Sequence, residues 1–227
     1  MNDRRASSPT VTERESRLSS FAEALAGTFP AANDAPLARS LLLLLARGRP
    51  ITEQELAAAA GRSEREVALA LRGWPNVDRD AHGAVVAFSG LSLRPTTHRF
   101  SVGGRGLYTW CAWDALFLPL LLEQPADVAS TCPLTGTPVR LAVTPHTVAA
   151  AEPDDVWVSF PPLARTSTDD IVGSFCCHVH FFAGRASAER WLAGNEGGHV
   201  LDVHDAYEVG ARATAKLRPQ AGPAPAS

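Results

Sequence analysis

The chain has 227 residues, of which 45% are hydrophobic, and a formal net charge of −3. This length and composition predict a globular protein of one or two domains with a substantial core. The weakly acidic balance argues against a protein built mainly to bind nucleic acid. The apolar runs are too short for a membrane span, and the first residues lack the apolar region of a signal peptide. We therefore expect a cytoplasmic protein with no membrane partner, whose four cysteines are free thiols.

The first third of the chain has the pattern of a winged helix. An amphipathic helix is predicted at Glu13–Thr28 from its apolar spacing, and a leucine-rich, buried helix at Ala35–Arg47. Two capping boxes follow, Thr52-Glu-Gln-Glu55 and Ser63-Glu-Arg-Glu66, and each opens a further short helix. A β-hairpin over residues 76–88 comes next and would form the wing.

The second part of the chain mixes helix and strand patterns. The run 107–122 predicts a mostly apolar helix, in which Pro119 should introduce a kink or an end. Strands are predicted at 127–132, 138–143, 156–160 and 174–182, and helices at 187–193 and 206–216. The predicted fold class is α+β, with a disordered tail (1–12), a winged-helix-like domain (13–95), a mixed α/β catalytic domain with small antiparallel sheets (96–216) and a second disordered tail (217–227).

A helix-turn-helix most often binds DNA, but the charges here favour another use. Residues 1–80 contain eleven arginines and eleven acidic residues, so this part of the chain has no net positive charge. The second helix of the motif begins Ser-Glu-Arg-Glu, which places acids where phosphates would approach. A winged helix used as a packing module is the favoured interpretation, and a metal- or thiol-sensing transcription regulator is the alternative.

Cys111 and Asp114 form the first candidate site. If both lie on the predicted apolar helix, a spacing of three residues puts them on one face. An aspartate in such an apolar segment is costly to bury, and desolvation would raise its pKa towards neutrality. The alternative is a carboxylate close to the surface and paired with an arginine.

The stretch SFCCHVHFF (174–182) contains the second candidate site. On a strand, Cys176 would share its face with His178 and His180, whereas Cys177 would lie on an apolar face as a packing thiol. A structural zinc site or a Cys–His nucleophile pair would also fit this run. Cys132 stands in a tight turn, TCPLTGTPV, and is interpreted as structural.

Three segments resemble one known family, the organomercurial (alkylmercury) lyases. WCAWDALFLPLL (110–121) is similar to a WCA-x-D-x-L-x-x-P segment of that family, and STCPLTGTPVRLAVTP (130–145) to a C-x-x-T-G-x-P-V-x-L segment. SFCCHVHFFAG (174–184) matches a third segment closely, and RPITEQELAAAAGRSEREVALAL (49–71) fits the family's winged-helix region more loosely.

The resemblance implies that Cys111, Cys176 and Asp114 cleave a carbon–mercury bond, and that Hg(II) is then held by the two cysteines with Asp114 nearby. It implies no catalytic role for Cys132 and Cys177. Mercury is a soft ion that thiolates bind well, and a carboxylic acid beside them can protonate the departing carbon.

The accessory components follow from the same chemistry. Trp110 and Trp113 flank the first candidate site and would exclude water and hold an organic group, although ordinary core packing explains them equally well. Protonolysis requires no cofactor. The resemblance implies that external thiols assist mercury release and that a mercuric reductase accepts the ion.

Overall fold

The N-terminal region contains four helices followed by a β-hairpin. In a computed structural model, which describes residues 10–29 and 33–218, these helices are α1 (Val11–Ala26), α2 (Ala35–Leu45), α3 (Glu53–Ala60) and α4 (Glu64–Arg72). The hairpin pairs β1 (Val77–Arg79) with β2 (Val85–Phe88) in antiparallel fashion. Most residues of the two predicted tails lie outside the described residues. Helix α1 begins at Val11, however, so the last residues of the first predicted tail (1–12) are helical.

Local capping explains why the helices of the winged helix begin where the sequence predicts. The side chains of Thr52 and Ser63 each accept a hydrogen bond from the amide three residues later, and the carboxylates of Glu55 and Glu66 accept one from the amides of Thr52 and Ser63. Gly61 ends α3 with a φ of +65°, a left-handed conformation that suits glycine. Both capping boxes are confirmed.

One antiparallel sheet extends from the wing through the following strands. After β1 and β2 come β3 (Leu91–Ser92), β4 (His98–Val102), β5 (Arg105–Thr109), β6 (Ala126–Thr131), β7 (Pro138–Val143) and β8 (Val148–Glu152). Their spatial order is β1-β2-β3-β5-β4-β6-β7-β8. The short strand β3 pairs with both β2 and β5, so it joins the wing to the rest of the sheet.

A second, smaller sheet and its helices complete the α+β fold that the sequence predicts. Strands β9 (Val156–Phe160), β10 (Phe181–Ala183) and β11 (His199–Asp202) are ordered β10-β9-β11. The helices of this part are α6 (Ile171–Ser174), α7 (Arg185–Ala193) and α8 (Val203–Ala213). Among the described residues, none of the helices combines the length and apolarity that a membrane crossing requires.

The helix between β5 and β6, α5, lies at the centre of the core. It covers Asp114–Leu122, and all nine of its residues are buried. It begins later than the sequence predicts, because residues 107–109 belong to β5. Pro119 does not end the helix, which continues to Leu122 and stops at Glu123 with a φ of +54°. The apolar run therefore forms the core, but Cys111 lies in the turn before the helix.

The prediction of a strand over residues 174–182 is wrong for most of its length. The end of α6 is followed by a 3₁₀ turn, Cys176–His178, and β10 begins only at Phe181. The Asp170 side chain accepts a hydrogen bond from the Gly173 amide, and the Ser174 hydroxyl donates to the Asp170 carbonyl. These local hydrogen bonds favour a helical turn over the extended conformation that the aromatic residues suggest.

Truncating Leu116 of α5 tests the importance of this helix for stability. Leu116 is fully buried, so Leu116→Ala should lower the free energy of unfolding by about 2–5 kcal/mol. Leu69→Ala is the matched control, because this leucine of α4 is 67% exposed and its loss should change stability by less than about 0.5 kcal/mol. Urea titrations of both variants measure the difference, and equal losses would contradict the central place of α5.

Candidate active site

Two thiols and one carboxylate meet in the interior. The sulfur atoms of Cys111 and Cys176 and a carboxylate oxygen of Asp114 all lie within 4.8 Å of one another. Cys111 is 0%, Cys176 4% and Asp114 6% exposed. The structure therefore brings together the three residues that the sequence analysis selected, although Cys176 is far from the other two in the chain.

The turn between β5 and α5 fixes Cys111 and Asp114. The amide of Cys111 donates a hydrogen bond to Oδ2 of Asp114 at 2.9 Å, and the hydroxyl of Thr109 donates to the Cys111 carbonyl at 2.8 Å. Asp114 is the first residue of α5. The two residues are close because a backbone amide holds the carboxylate, and not because they share a helix face as the sequence analysis assumed.

The segment that carries Cys176 is attached to the same turn. The amide of Ala112 donates to the Val179 carbonyl at 3.3 Å. The hydroxyl of Ser159 donates to the His178 carbonyl at 2.9 Å and accepts from the His180 amide at 3.0 Å. Ser159, a fully buried residue of β9, thus supports the backbone beside Cys176; the sequence analysis did not select it.

Burial keeps both thiols mainly protonated near neutral pH and leaves the Asp114 carboxyl partly protonated. Desolvation raises the pKa of Asp114 to about 7, against the opposing effect of hydrogen bonds from the Cys111 side chain and amide. Desolvation also raises the pKa of Cys111 well above its usual value. Cys111 as a hydrogen-bond donor lowers the pKa of Cys176, but burial and the Asp114 charge outweigh this effect and leave that pKa raised.

An aromatic cleft leads from the surface to this centre. Cys176, Asp114, Trp110 and Trp113 all line it. Trp113 is almost fully buried and donates its indole N–H to the Ala206 carbonyl at 3.0 Å. The remaining lining residues, which no sequence pattern indicated, are Thr28, Phe29, Asn76, Ser89, Gly90, Ile171 and Phe175.

The other two cysteines differ from each other in exposure. Cys132 is fully buried beside Phe182 and Ala188, as expected for a structural thiol. Cys177 is exposed, so its interpretation as a packing thiol is wrong. The error follows from the wrong strand assignment, because a 3₁₀ turn directs adjacent side chains differently from a strand.

The histidines of this region do not join the cluster. Among the described residues, the one group of three metal-binding side chains is Cys111, Asp114 and Cys176, so neither His178 nor His180 completes a zinc site with Cys176. Two soft sulfur ligands favour a soft metal ion. The neighbouring carboxyl, with its pKa near 7, can both accept and donate a proton at neutral pH.

Comparison with known proteins identifies the family. The protein-family model described as "Alkylmercury lyase" matches residues 91–215. The family model described as "Helix-turn-helix domain of alkylmercury lyase" matches residues 17–89. The chain belongs to the alkylmercury lyase family.

Individual relatives of this family support the assignment. An alkylmercury lyase of Streptomyces lividans is 43% identical over 179 residues, covering 79% of this chain and 82% of the relative. One from Pseudomonas putida is 41% identical over 171 residues, covering 75% and 79%. The crystal structure of the mercury-bound form of MerB2 superposes with a TM-score of 0.72 at 25% identity, covering 89% of this chain and 99% of that one.

Replacing Asp114 by asparagine should change how stability depends on pH in this alkylmercury lyase. Burial raises the folded-state pKa of Asp114 from 3.8 to about 7. Between these two pKa values the folded protein retains a proton that the unfolded chain has released. The stabilising contribution of the protonated carboxyl is therefore fully present below the unfolded pKa and is lost as the pH rises through about 7. The melting temperature of Asp114→Asn, relative to wild type, should thus be higher at about pH 8.5 than at about pH 5.5.

Differential scanning calorimetry at the two pH values measures this change. Asp127→Asn, on the exposed face of β6, is the matched control for the loss of one carboxylate. A constant difference between Asp114→Asn and wild type across the pH range would show that the Asp114 carboxyl has an ordinary pKa.

Proposed function

We propose that this alkylmercury lyase cleaves the carbon–mercury bond of alkyl- and arylmercury compounds by protonolysis at Cys111, Cys176 and Asp114. The observation that carries these residue roles is the buried cluster of two thiols and a carboxylic acid, all within 4.8 Å of one another. Its products are a hydrocarbon and Hg(II). Mercury is the substrate's own metal, and the two cysteines receive it.

The first step is capture of the organomercury cation by a thiol. A substrate R–Hg–SR′ exchanges its thiolate for a cysteine of the protein, and the proton of that cysteine passes to the displaced R′S⁻, which leaves as R′SH. Capture therefore needs no further base. The second cysteine does need one, because burial raises the pKa of both thiols. Asp114, with a pKa of about 7, is partly ionised at neutral pH and can accept the proton of that second cysteine.

The second step breaks the carbon–mercury bond. Attack by the second thiolate raises the electron density on mercury, and the carbon gains carbanion character. Asp114 then donates to that carbon the proton that it took from the second cysteine, and the carbon leaves as R–H. The overall reaction is R–Hg–SR′ plus two cysteine thiols giving R–H, R′SH and Hg(II) bound by Cys111 and Cys176, and mercury remains divalent throughout.

The cleft provides the environment for both steps. Trp110 and Trp113 line it, and their rings provide an apolar surface for the organic group. Exclusion of water strengthens the interaction between the developing carbanion and the acid. We propose no cofactor, because the cysteine and carboxyl groups supply every proton and ligand in the balanced reaction.

Release of the product requires other thiols. Two external thiols exchange with the bound Hg(II), which restores both cysteine thiols and yields a mercury dithiolate. A mercuric reductase is the proposed acceptor, as the family resemblance implies. A cytoplasmic location fits this exchange, because that compartment is rich in reduced thiols and the four cysteines are free.

The winged-helix region has a use other than DNA binding in this proposal. Glu66, near the start of α4, caps that helix, and its charge opposes phosphate binding. Thr28, Asn76 and Ser89 of the same region line the cleft. We therefore propose that this region helps to form the active site, and we propose no nucleic-acid partner.

Hydrocarbon release tests the reaction and the roles of the cysteines. Wild-type protein with phenylmercury and excess thiol should release benzene, measured by gas chromatography, whereas Cys111→Ala and Cys176→Ala should give only the background of a protein-free control. Cys177→Ser is the matched control, because Cys177 is exposed and does not belong to the cluster. Loss of turnover in Cys177→Ser with retention in Cys176→Ser would reverse the proposed roles.

Removing the carboxyl should separate binding from cleavage. Asp114→Ala retains both thiols and should still bind phenylmercury, but benzene release should be about 10²- to 10⁴-fold slower, the usual contribution of a general acid. Bound mercury after gel filtration and benzene in the headspace measure the two steps. Wild-type rates in Asp114→Ala would refute its role as proton donor.

A further inference from the structure

A tight turn between the wing and the rest of the sheet lies directly against the active site. Ser89 and Gly90 connect β2 to β3, and Phe88 pairs with Leu91 across them. Both turn residues have positive φ values, +47° for Ser89 and +91° for Gly90. Two positive φ values in a two-residue loop are the feature of a type I′ hairpin turn, whose second position favours glycine.

The backbone of Gly90 approaches Asp114 more closely than a side chain would allow. A Cβ atom on Gly90 would lie 2.4 Å from Cγ, 2.6 Å from Oδ1 and 2.8 Å from Cβ of Asp114. The Gly90 carbonyl accepts a hydrogen bond from the Trp110 amide at 2.9 Å. This bond attaches the turn to the segment that carries Cys111. The amide of Cys111 in turn binds the Asp114 carboxyl, so the turn and the carboxyl are both attached to that segment.

The carboxyl of Asp114 is thereby confined at both of its oxygen atoms. The Cys111 amide holds Oδ2 at 2.9 Å, and the Gly90 backbone covers the side on which Oδ1 lies. A side chain on residue 90 would therefore have to displace either the carboxyl or the turn.

We propose that Gly90 is a positioning residue for the protonolysis step, because its missing side chain lets the wing backbone hold the Asp114 carboxyl beside the two thiols. This inference deepens the proposed function and rests on it. Gly90 has no part in binding mercury, which the two thiols perform. A side chain at this position should therefore impair proton delivery and leave capture of the organomercury cation intact.

The variant Gly90→Ala tests the proposal, with Gly83→Ala as a matched control. Gly83 is also a hairpin-turn glycine of the wing, with a φ of +82°, but a Cβ atom there would meet no described atom within 4 Å. Both variants carry the strain of alanine at positive φ, and we expect each to lower the melting temperature by about 2–4 °C on that account. Only Gly90→Ala adds the collision with Asp114.

A single-turnover experiment with radiolabelled phenylmercury separates the two steps. The label bound to protein after rapid gel filtration reports capture, and labelled benzene reports protonolysis. Gly90→Ala should capture the label as wild type does but release benzene about 10- to 100-fold more slowly, the effect of misplacing a reacting group by about 1 Å. Gly83→Ala should remain within about twofold of wild type in both steps. Equal benzene rates in the two variants, or a parallel loss of capture in Gly90→Ala, would overturn the proposal.

A double-mutant cycle tests the contact without relying on turnover. If Gly90→Ala collides with the Asp114 carboxyl, it should lower the melting temperature less in an Asp114→Ala background than in wild type. Gly83→Ala should lower it equally in both backgrounds. Additive effects of Gly90→Ala and Asp114→Ala would overturn the proposed contact. Failure of wild type to release benzene would instead refute the proposed function, and the cycle would still decide whether Gly90 holds Asp114.

Discussion

The site depends on a carboxylic acid buried between two thiols. An isolated carboxylate is expensive to bury, so it either becomes protonated or acquires hydrogen bonds. Asp114 does both in part: its pKa rises to about 7, and the Cys111 amide donates to Oδ2. Its position at the first turn of α5 also favours the ionised form, because amide groups point outward at a helix N-terminus. These opposing effects leave the group near the midpoint of its titration at neutral pH.

Three turns from distant parts of the chain surround this carboxyl. One precedes α5 and carries Cys111, one carries Cys176, and the Ser89–Gly90 turn covers the third side. Each is anchored by a backbone hydrogen bond to or from a neighbouring segment, such as those of Ala112 with Val179 and Trp110 with Gly90. The strand β3 joins the wing to the larger sheet, which explains how the winged-helix region can contribute residues to the cleft.

Features that depend on neighbours in sequence were predictable, and those that depend on tertiary contacts were not. The capping boxes at Thr52 and Ser63 fixed two helix starts, because both partners lie within four residues. The strand at 138–143 was predicted from its place beside the tight turn that follows Cys132. Residues 174–182 were misassigned, because side-chain hydrogen bonds of Asp170 and Ser174 favour a helical turn at the start of this segment. Cys111, Asp114 and Cys176 were chosen from the sequence and lie together in the structure. Their convergence, and the approach of Gly90 to Asp114, exist only in the folded chain.

The raised pKa values of the thiols are consistent with the charge balance of the proposed reaction. Two protonated cysteines, a neutral R–Hg–SR′ and a carboxyl near its midpoint introduce little net charge into the cleft. The products, a hydrocarbon, a free thiol and Hg(II) bound by two thiolates, are also neutral overall. Because Hg²⁺ replaces two protons, the interior never acquires an uncompensated charge, which a medium of low dielectric constant would penalise. A site that began with two exposed thiolates would instead have to lose negative charge during the reaction, so deep burial of the cysteines fits a chemistry in which the thiol protons are themselves consumed.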